Sequence, residues 1–292
     1  YLGGGWLAEY FGWRITFMVI GLPGIFIAIL VKLTLREPRL KQKTTAVIHR
    51  PSFKTVLNTL WRQQTYRRIV KASCVSSFFG MGISLWLPTF FMRSHDMEVG
   101  EVGTWFAFIW GVCGLLGNYL GGFLATRYAA GKEALQMRSM AVVFALGGFL
   151  YAVVYLSSNM YTAMAFLAMT AFLISSIYGP VFSALQSLVS ERMRSVALAL
   201  ILLFSQLIGF GLGPVLAGVL SDLLAPTFGQ ESLRYALVLF SPGYLWVAYY
   251  YWKAAETIEG DIRRADLGER SIEAKVVKFE IGESELSSGR IQ

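Results

Sequence analysis

Few side chains in this chain of 292 residues combine chemical capability with an apolar setting. Tyr178 and Gln186 are the first pair. With Ser175 and Phe182 they fall within about an 80° arc at 100° per residue, one face of a helix. A glutamine amide facing lipid is costly, so Gln186 is expected to look into a wet cavity or onto a partner helix. Gln206 repeats the situation, with Gly209 and Gly213 following it on the same face. Together with Trp86, these residues could line a substrate cavity and hold a solute by hydrogen bonds and ring contact. Covalent chemistry is not expected of them. A nucleophile needs a base within reach, and no His, Asp or Glu lies where a buried serine could use it. His49 and His95 fall in loops expected on opposite sides of the apolar layer, so they make neither a metal site nor a catalytic pair. Cys74 and Cys113 lie inside apolar runs and read as small buried thiols. No enzyme, cofactor or metal is expected.

Two further stripes carry small residues at helical spacing: Ser73, Ser77, Gly80 and Ser84, then Gly114, Asn118, Gly121 and Ala125. In a bilayer, small residues mark where helices touch, and Gly117-x-x-x-Gly121 is an ordinary packing motif. The stretch GFGLGPV places Gly209, Gly211, Gly213 and Pro214 in one span. Proline frees a carbonyl and glycine removes a side-chain brace, so a helix bend is predicted there.

The elements that must position these residues follow from composition. Hydrophobic residues make up 55% of the chain and charged ones 15%, against roughly a quarter charged in a soluble domain. No Asp, Glu, Lys, Arg or His occurs in 15–31, 72–92, 102–126, 139–190, 195–221 or 235–252. The sequence SSNM at 157–160 supplies a polar turn inside the longest of these. Seven segments result, each near the roughly 20 apolar residues that cross a bilayer as a helix. Continuous apolar runs favour helices over the alternating pattern of a barrel. The expected fold class is an all-α, polytopic membrane bundle.

Threading the spans as a serpentine leaves Arg14, Arg93 and Arg234 on one side and the other 23 Lys and Arg on the opposite one. That bias places 32–71, 127–138 and the C-terminus in the cytoplasm. The net charge of +8 is accounted for by anionic inner-leaflet lipid, with no nucleic acid needed.

The chain also says one thing twice. Gly5-Trp6-Leu7-Ala8-Glu9 parallels Gly218-Val219-Leu220-Ser221-Asp222. Phe11-Gly12 parallels Phe228-Gly229, Arg14 parallels Arg234, and Pro23-Gly24 parallels Pro242-Gly243. A same-direction repeat of about 215 residues is the mark of a transporter built from two parallel halves. Six spans lie between the echoes, a complete half. The expected organisation is therefore 1–35 as the end of an N-terminal half, 36–71 as a cytoplasmic linker, 72–252 as a complete C-terminal half, and 253–292 as a largely disordered cytoplasmic tail. About seven complete spans of an expected twelve are present, so the chain reads as an N-terminally truncated piece. Within the linker, Phe53, Val56, Leu57, Leu60 and Trp61 form an apolar stripe bordered by Lys54, Arg62, Arg67 and Arg68. Such a helix suits either the headgroup plane or the underside of the bundle.

These stretches resemble the major facilitator superfamily and, within it, the spinster-like branch. The likeness is carried by GGWLAEYFGWRITFMVIGLPG at the start, LTLREPR at 33–39, YGPVFSALQSLVSERMRSVALAL at 178–200, GFGLGPVLAGVLSD at 209–222 and LRYALVLFSPG at 233–243. It implies twelve helices in the intact protein and alternating access around a central cavity. Spinster-like members are associated with export of lysolipids and sphingoid lipid phosphates, often with proton coupling. One departure stands out. The superfamily's inner-loop signature, roughly G-x-x-x-D-R-x-G, is met here by Gly122 and Arg127, but Thr126 replaces the acid. A cytoplasmic gate is expected from Gly122, Arg127, Glu191 and Arg194, with Arg127 and Glu191 approaching each other.

The expected function is secondary transport of a small amphipathic or lipid-like solute by a rocker-switch. A seven-span receptor or sensor and an inactive partial transporter are the alternatives. A proton relay needs an intramembrane Asp, Glu or His, and no complete span carries one. Any proton or other coupling ion is therefore assigned to the missing N-terminal half. The expected partners are a small-molecule or lipid substrate and the lipid bilayer. The expected location is the plasma membrane (the inner membrane in bacteria), with the C-terminus cytoplasmic.

Overall fold

A computed structural model describes residues 2–35, 52–177, 193–265, and between or beyond these 179, 181, 184, 187–189 and 267. Tyr178, Phe182, Gln186 and Glu191, with residues 36–51 of the linker and most of the tail, lie outside the described residues. The chain forms α1 (Leu2–Thr34), α2 (Phe53–Arg62), α3 (Gln64–Ser94), α4 (Val99–Phe108), a π turn (Ile109–Cys113) and α5 (Gly114–Tyr128). There follow α6 (Glu133–Leu156), α7 (Met160–Ser175), α8 (Arg194–Phe228), a 3-10 turn (Gly229–Glu231), α9 (Ser232–Phe240) and α10 (Gly243–Ala255). Helix is the natural outcome, because a bilayer core offers backbone groups no water and each helix satisfies its own.

Among the described residues, five helical stretches are long and apolar enough to cross a membrane: Leu2–Thr34, Gln64–Ser94, Val99–Tyr128, Glu133–Leu156 and Arg194–Ala255. Met160–Ser175 is a shorter apolar helix. Two of the long stretches reverse direction within themselves. In α1, Gly12 has φ +76°, and a Cβ on Gly4 would sit 3.8 Å from Ile20 Cδ1. Gly4 and Ile20 would be about 24 Å apart along a straight helix, so the chain folds back at Gly12. At the C-terminal end of α8, Gly229 has φ +56°. Only glycine enters this region cheaply. The Phe-Gly pairs that echo each other in sequence are thus two turns of related construction.

The most extensive interface joins α3 to α8. Ser205, Gly209, Gly213, Ala217 and Ser221 recur every four residues along α8, and all five are buried. A Cβ on Gly209 would meet Ser77 Cβ at 2.7 Å, and one on Gly213 would run into the Phe78 carbonyl. The four-residue spacing keeps these residues on one slowly drifting face, so backbones approach closely over several turns. Helix α8 is continuous through Gly209, Gly211, Gly213 and Pro214. Two of these glycines serve as contact points with α3. A second seam joins α5 to α7, where a Cβ on Gly117 or Gly121 would collide with the Phe172 or Ser176 carbonyl. The motif expected there as packing does pack.

Two helices borrow their N-terminal caps from far away in sequence. Neither Gln63, before α3, nor Glu98, before α4, caps its helix with its own side chain. Instead Thr65 N donates to the Asp261 carboxylate at 2.8 Å, and Gly100 N donates to Glu9 at 2.6 Å. A carboxylate at a helix N-terminus satisfies an orphan N–H and meets the positive end of the dipole. Asp261 is 4% exposed, so the chain stays docked past residue 252. Arg68 reinforces this end by donating to the Lys253 carbonyl and to Thr257 Oγ1. At the opposite end, Arg234 pairs with Glu231 at 2.8 Å and lies over the Phe90 ring. Burial first, and then the nearby Arg234, holds the His95 imidazole there below its ordinary pKa, against Glu231 and Asp96.

Helix α2 forms where its stripe predicted. Ser52 Oγ caps it by accepting from Thr55 N at 3.3 Å. Val56 and Leu60 are buried, whereas Phe53 and Trp61 remain exposed, with the Trp61 ring 6.2 Å from Phe204.

Three outcomes follow for the purified chain in detergent. Gly213→Leu should lower stability by about 1–3 kcal/mol through overpacking, read as a fall in Tm. Gly211→Ala meets open space and should be neutral or stabilising by up to about 1 kcal/mol. Asp261→Ala should cost about 1–2 kcal/mol, as loss of a helix N-cap does.

Candidate functional site

A cavity of about 400 Å³ lies beside the α3–α8 seam. Helix α3 supplies Ser73, Ser76, Ser77, Gly80 and Ser84; α8 supplies Ile201, Leu202, Ser205 and Gln206. Expected chiefly as a packing stripe, the α3 serines therefore do double duty, since Ser77 also abuts Gly209. Gln206 and Ser84 are exposed at the open edge. Ile174 near the end of α7, and Ile177 and Val181 beyond it, continue the wall.

Aromatic rings make the other wall. Trp110 comes from the π turn, Phe144 and Tyr151 from α6, and Tyr244 and Tyr251 from α10. Phe144 and Tyr251 stack at 5.4 Å with planes 5° apart, and Tyr151 meets Tyr244 at 5.5 Å. Each helix contributes two rings seven residues apart, two turns on the same face, so the four interleave. The column continues through Tyr155, stacked on Tyr151 at 6.1 Å, to Phe90. Close helix approach makes this possible: a Cβ on Gly148 would lie 2.8 Å from Tyr244 Cβ.

Of the residues expected to line a cavity, Gln206 does so, and Tyr178 and Gln186 lie outside the described residues. Trp86 is placed elsewhere. Its indole N–H donates to the Pro214 carbonyl at 2.9 Å, and its ring packs where a Gly218 Cβ would be. It ties α3 to α8 rather than facing the cavity. Residue spacing could have revealed the rings it missed, because Phe144/Tyr151 and Tyr244/Tyr251 repeat the same interval. Trp110 carried no such signal; its direction depends on the π turn, a feature often found at functional sites.

The expected gate residues are only partly placed. Arg127 is exposed at the end of α5, and Glu191 lies outside the described residues. Gly122 faces the following segment, with a Gly179 Cβ position 3.5 Å from Gly122 Cα. Arg194 Nε donates to the Val189 carbonyl at 3.2 Å. Thr126, standing where the signature has an acid, turns its hydroxyl onto the Gly122 and Phe123 carbonyls. Among the described residues, no cluster of three His, Cys, Asp or Glu could hold a metal.

Comparison with known proteins fits this architecture. The family model described as the Major Facilitator Superfamily matches residues 1–214. An MFS-type efflux pump of Mycolicibacterium smegmatis is 29% identical over 263 residues, covering 89% of this chain and 60% of the pump. Protein spinster homolog 1 of Xenopus tropicalis is 27% identical over 254 residues, 78% of this chain and 48% of that protein. A crystal structure of a bacterial homolog to the human lysosomal transporter spinster, inward-facing and unoccupied, superposes with TM-score 0.72 at 23% identity. It covers 88% of this chain and 63% of that one. The same homolog, inward-facing and occupied, gives TM-score 0.64 at 20% identity over 88% and 64% of the two chains. At such identities the structural likeness speaks to fold. The chain spans about half to three-fifths of the length of these curated relatives. It belongs to the major facilitator superfamily, as an all-α membrane protein.

Proposed function

We propose that this chain works in a secondary active transporter that moves a small amphipathic or lipid-like solute by alternating access, with residues 72–252 as one rocking half. The observation that carries this reading is the open cavity of about 400 Å³ walled by α3, α6, α8 and α10. Its surfaces suit a solute with an apolar body and a polar end: rings and aliphatic side chains on one hand, hydroxyls and the Gln206 amide on the other. The efflux-pump and spinster relatives support the same class of activity. The excess of basic residues on one side supports a bacterial inner-membrane or plasma-membrane location with that side and the C-terminus cytoplasmic. Helix α2 then lies at the cytoplasmic headgroup level, its exposed Phe53 and Trp61 turned to lipid. Gly122, Arg127, Glu191 and Arg194 form the cytoplasmic gate, and the coupling ion is handled outside 72–252. Gly211 and Pro214 give α8 a place to flex.

Two measurements on the intact transporter in proteoliposomes test this. Gln206→Leu should cut saturable flux of a lysolipid about tenfold, the worth of one lost hydrogen bond, without lowering Tm. Absence of lysolipid flux in the unmodified protein, with and without a pH gradient, would remove the lipid-like solute. For the gate, Arg127→Glu should slow transport about fivefold, as loss of one exposed ion pair does. The double reversal with Glu191→Arg should restore it; no rescue separates the two residues.

A further inference from the structure

We propose that His95 is the trigger of an acid-sensitive clasp, which holds the outer end of α3 against the start of α9 and releases it when the outside turns acidic. Nothing in the clasp depends on which solute the central cavity takes. Its parts come from three places in the chain. Arg234, in the first turn of α9, pairs with Glu231 of the 3-10 turn at 2.8 Å and donates to the Ser94 carbonyl at 3.5 Å. Ser94 Oγ in turn donates to Glu231 at 3.4 Å. The guanidinium lies over the Phe90 ring, 5.8 Å from its centre, and the His95 imidazole meets the same ring edge-to-face at 5.5 Å. Asp96 holds the turn that follows at φ +52°, a left-handed conformation that aspartate tolerates better than most residues.

Proton uptake by His95 works against this arrangement. Imidazolium carries a donor on each ring nitrogen, and Nε2 is enclosed with no hydrogen-bond partner among the described residues. The charged groups that face it are Arg234 from α9, Glu231 from the 3-10 turn and Asp96 from its own loop. Behind Phe90 stands the Tyr155 phenol of α6, 5.2 Å from that ring and neutral at these pH values. Burial, and then Arg234, oppose the proton more than Glu231 and Asp96 attract it, so the closed clasp holds the imidazole below its ordinary pKa. Opening wets the ring and parts it from Arg234, which returns the pKa toward about 6.5. Between the lowered value and about 6.5 the open state binds more protons. The closed clasp is therefore at full strength above that window and weakens as pH falls through it.

The end of α3 has somewhere to go. Trp86 ties the helix to the Pro214 carbonyl at 2.9 Å. Pro88 follows two residues on, leaving the Ser84 carbonyl without its helical donor. Beyond this hinge, Phe90 faces the clasp. Pro88 and Met92 point about 180° away from it at 100° per residue, into a second cavity of about 300 Å³ shared with Gly5, Val102, Gly103 and Phe106. Released, the segment after Pro88 moves into that space, so external pH sets how firmly the outer end is closed. The proton arrives and leaves on one side, and the clasp senses acid without carrying a coupled proton across.

Two reporters on the chain in nanodiscs test this. In a His49→Gln background, carbon-labelled histidine gives the NMR titration of His95 alone. With Cys74→Ala and Cys113→Ala, nitroxides at Arg93→Cys and Gln230→Cys, both exposed positions, read the separation of the α3 end from the turn before α9. His95 should titrate below about pH 6.5, and the label separation should lengthen over the same pH range. Arg234→Gln, which removes the like charge, should move the His95 midpoint upward. His95→Gln should keep the labels close from about pH 8 to about pH 5, and His95→Lys should keep them apart throughout. A His95 midpoint at or above the ordinary value overturns the proposal, as does a separation that stays constant with His95 intact. Lengthening that persists unchanged in His95→Gln assigns the response to another group and overturns the trigger. Should both His95 variants fail to fold, the titration and the separation measured with His95 intact still decide.

Discussion

The near backbone-to-backbone approach of α3 and α8 is the contact on which the rest depends. Lipid removes the usual hydrophobic drive between helices, so association relies on dispersion at short range, and only small residues permit that range. Gly209 and Gly213 hold α8 against Ser77, Phe78 and Gly82 of α3. Along the same pair of helices, beside this seam, the larger and more polar residues are left facing open space. The cavity is therefore a consequence of where the packing stops. Trp86, bonded to the Pro214 carbonyl, fixes how the two helices sit along each other.

Many hydroxyls in the bundle are matched inside their own helix. Thr126, Thr170, Ser205 and Ser241 all return their hydroxyl protons to carbonyls one turn back. This satisfies the donor without asking for water. The cavity wall, with its serines and aromatic rings, carries polarity without formal charge among the described residues.

Charge is confined to the two ends, where it organises helix termini. Asp261 on α3 and Glu9 on α4 are separated from their partners by 196 and 91 residues. Each completes a helix start that local sequence leaves uncapped. One fastens the segment after α10 beneath the bundle. The other, with the Trp6 indole donating to Thr104 Oγ1 at 2.9 Å, fastens the first helical segment to the far end. Each docks a distant piece of chain by the same use of the helix dipole.

The sequence by itself determined that this is a helical membrane bundle, roughly where its spans run, and that its turns recur as an internal repeat. Those properties are local: an uncharged run of sufficient length has few alternatives in a bilayer, and Gly12 and Gly229 are needed where φ is positive. The Gly117–Gly121 seam was legible for the same reason. Tertiary structure alone decided which residues face the cavity. A serine or glycine serves equally well at a helix contact or at a cavity wall, so the stripe from Ser73 to Ser84 was ambiguous until α8 was placed beside it. Trp86 was drawn to the Pro214 carbonyl, and Trp110 was turned into the cavity by a π turn that hydropathy does not register. Distant caps such as Glu9 and Asp261 were equally hidden, because a carboxylate's partner is set by where the chain returns in space and not by its neighbours in sequence.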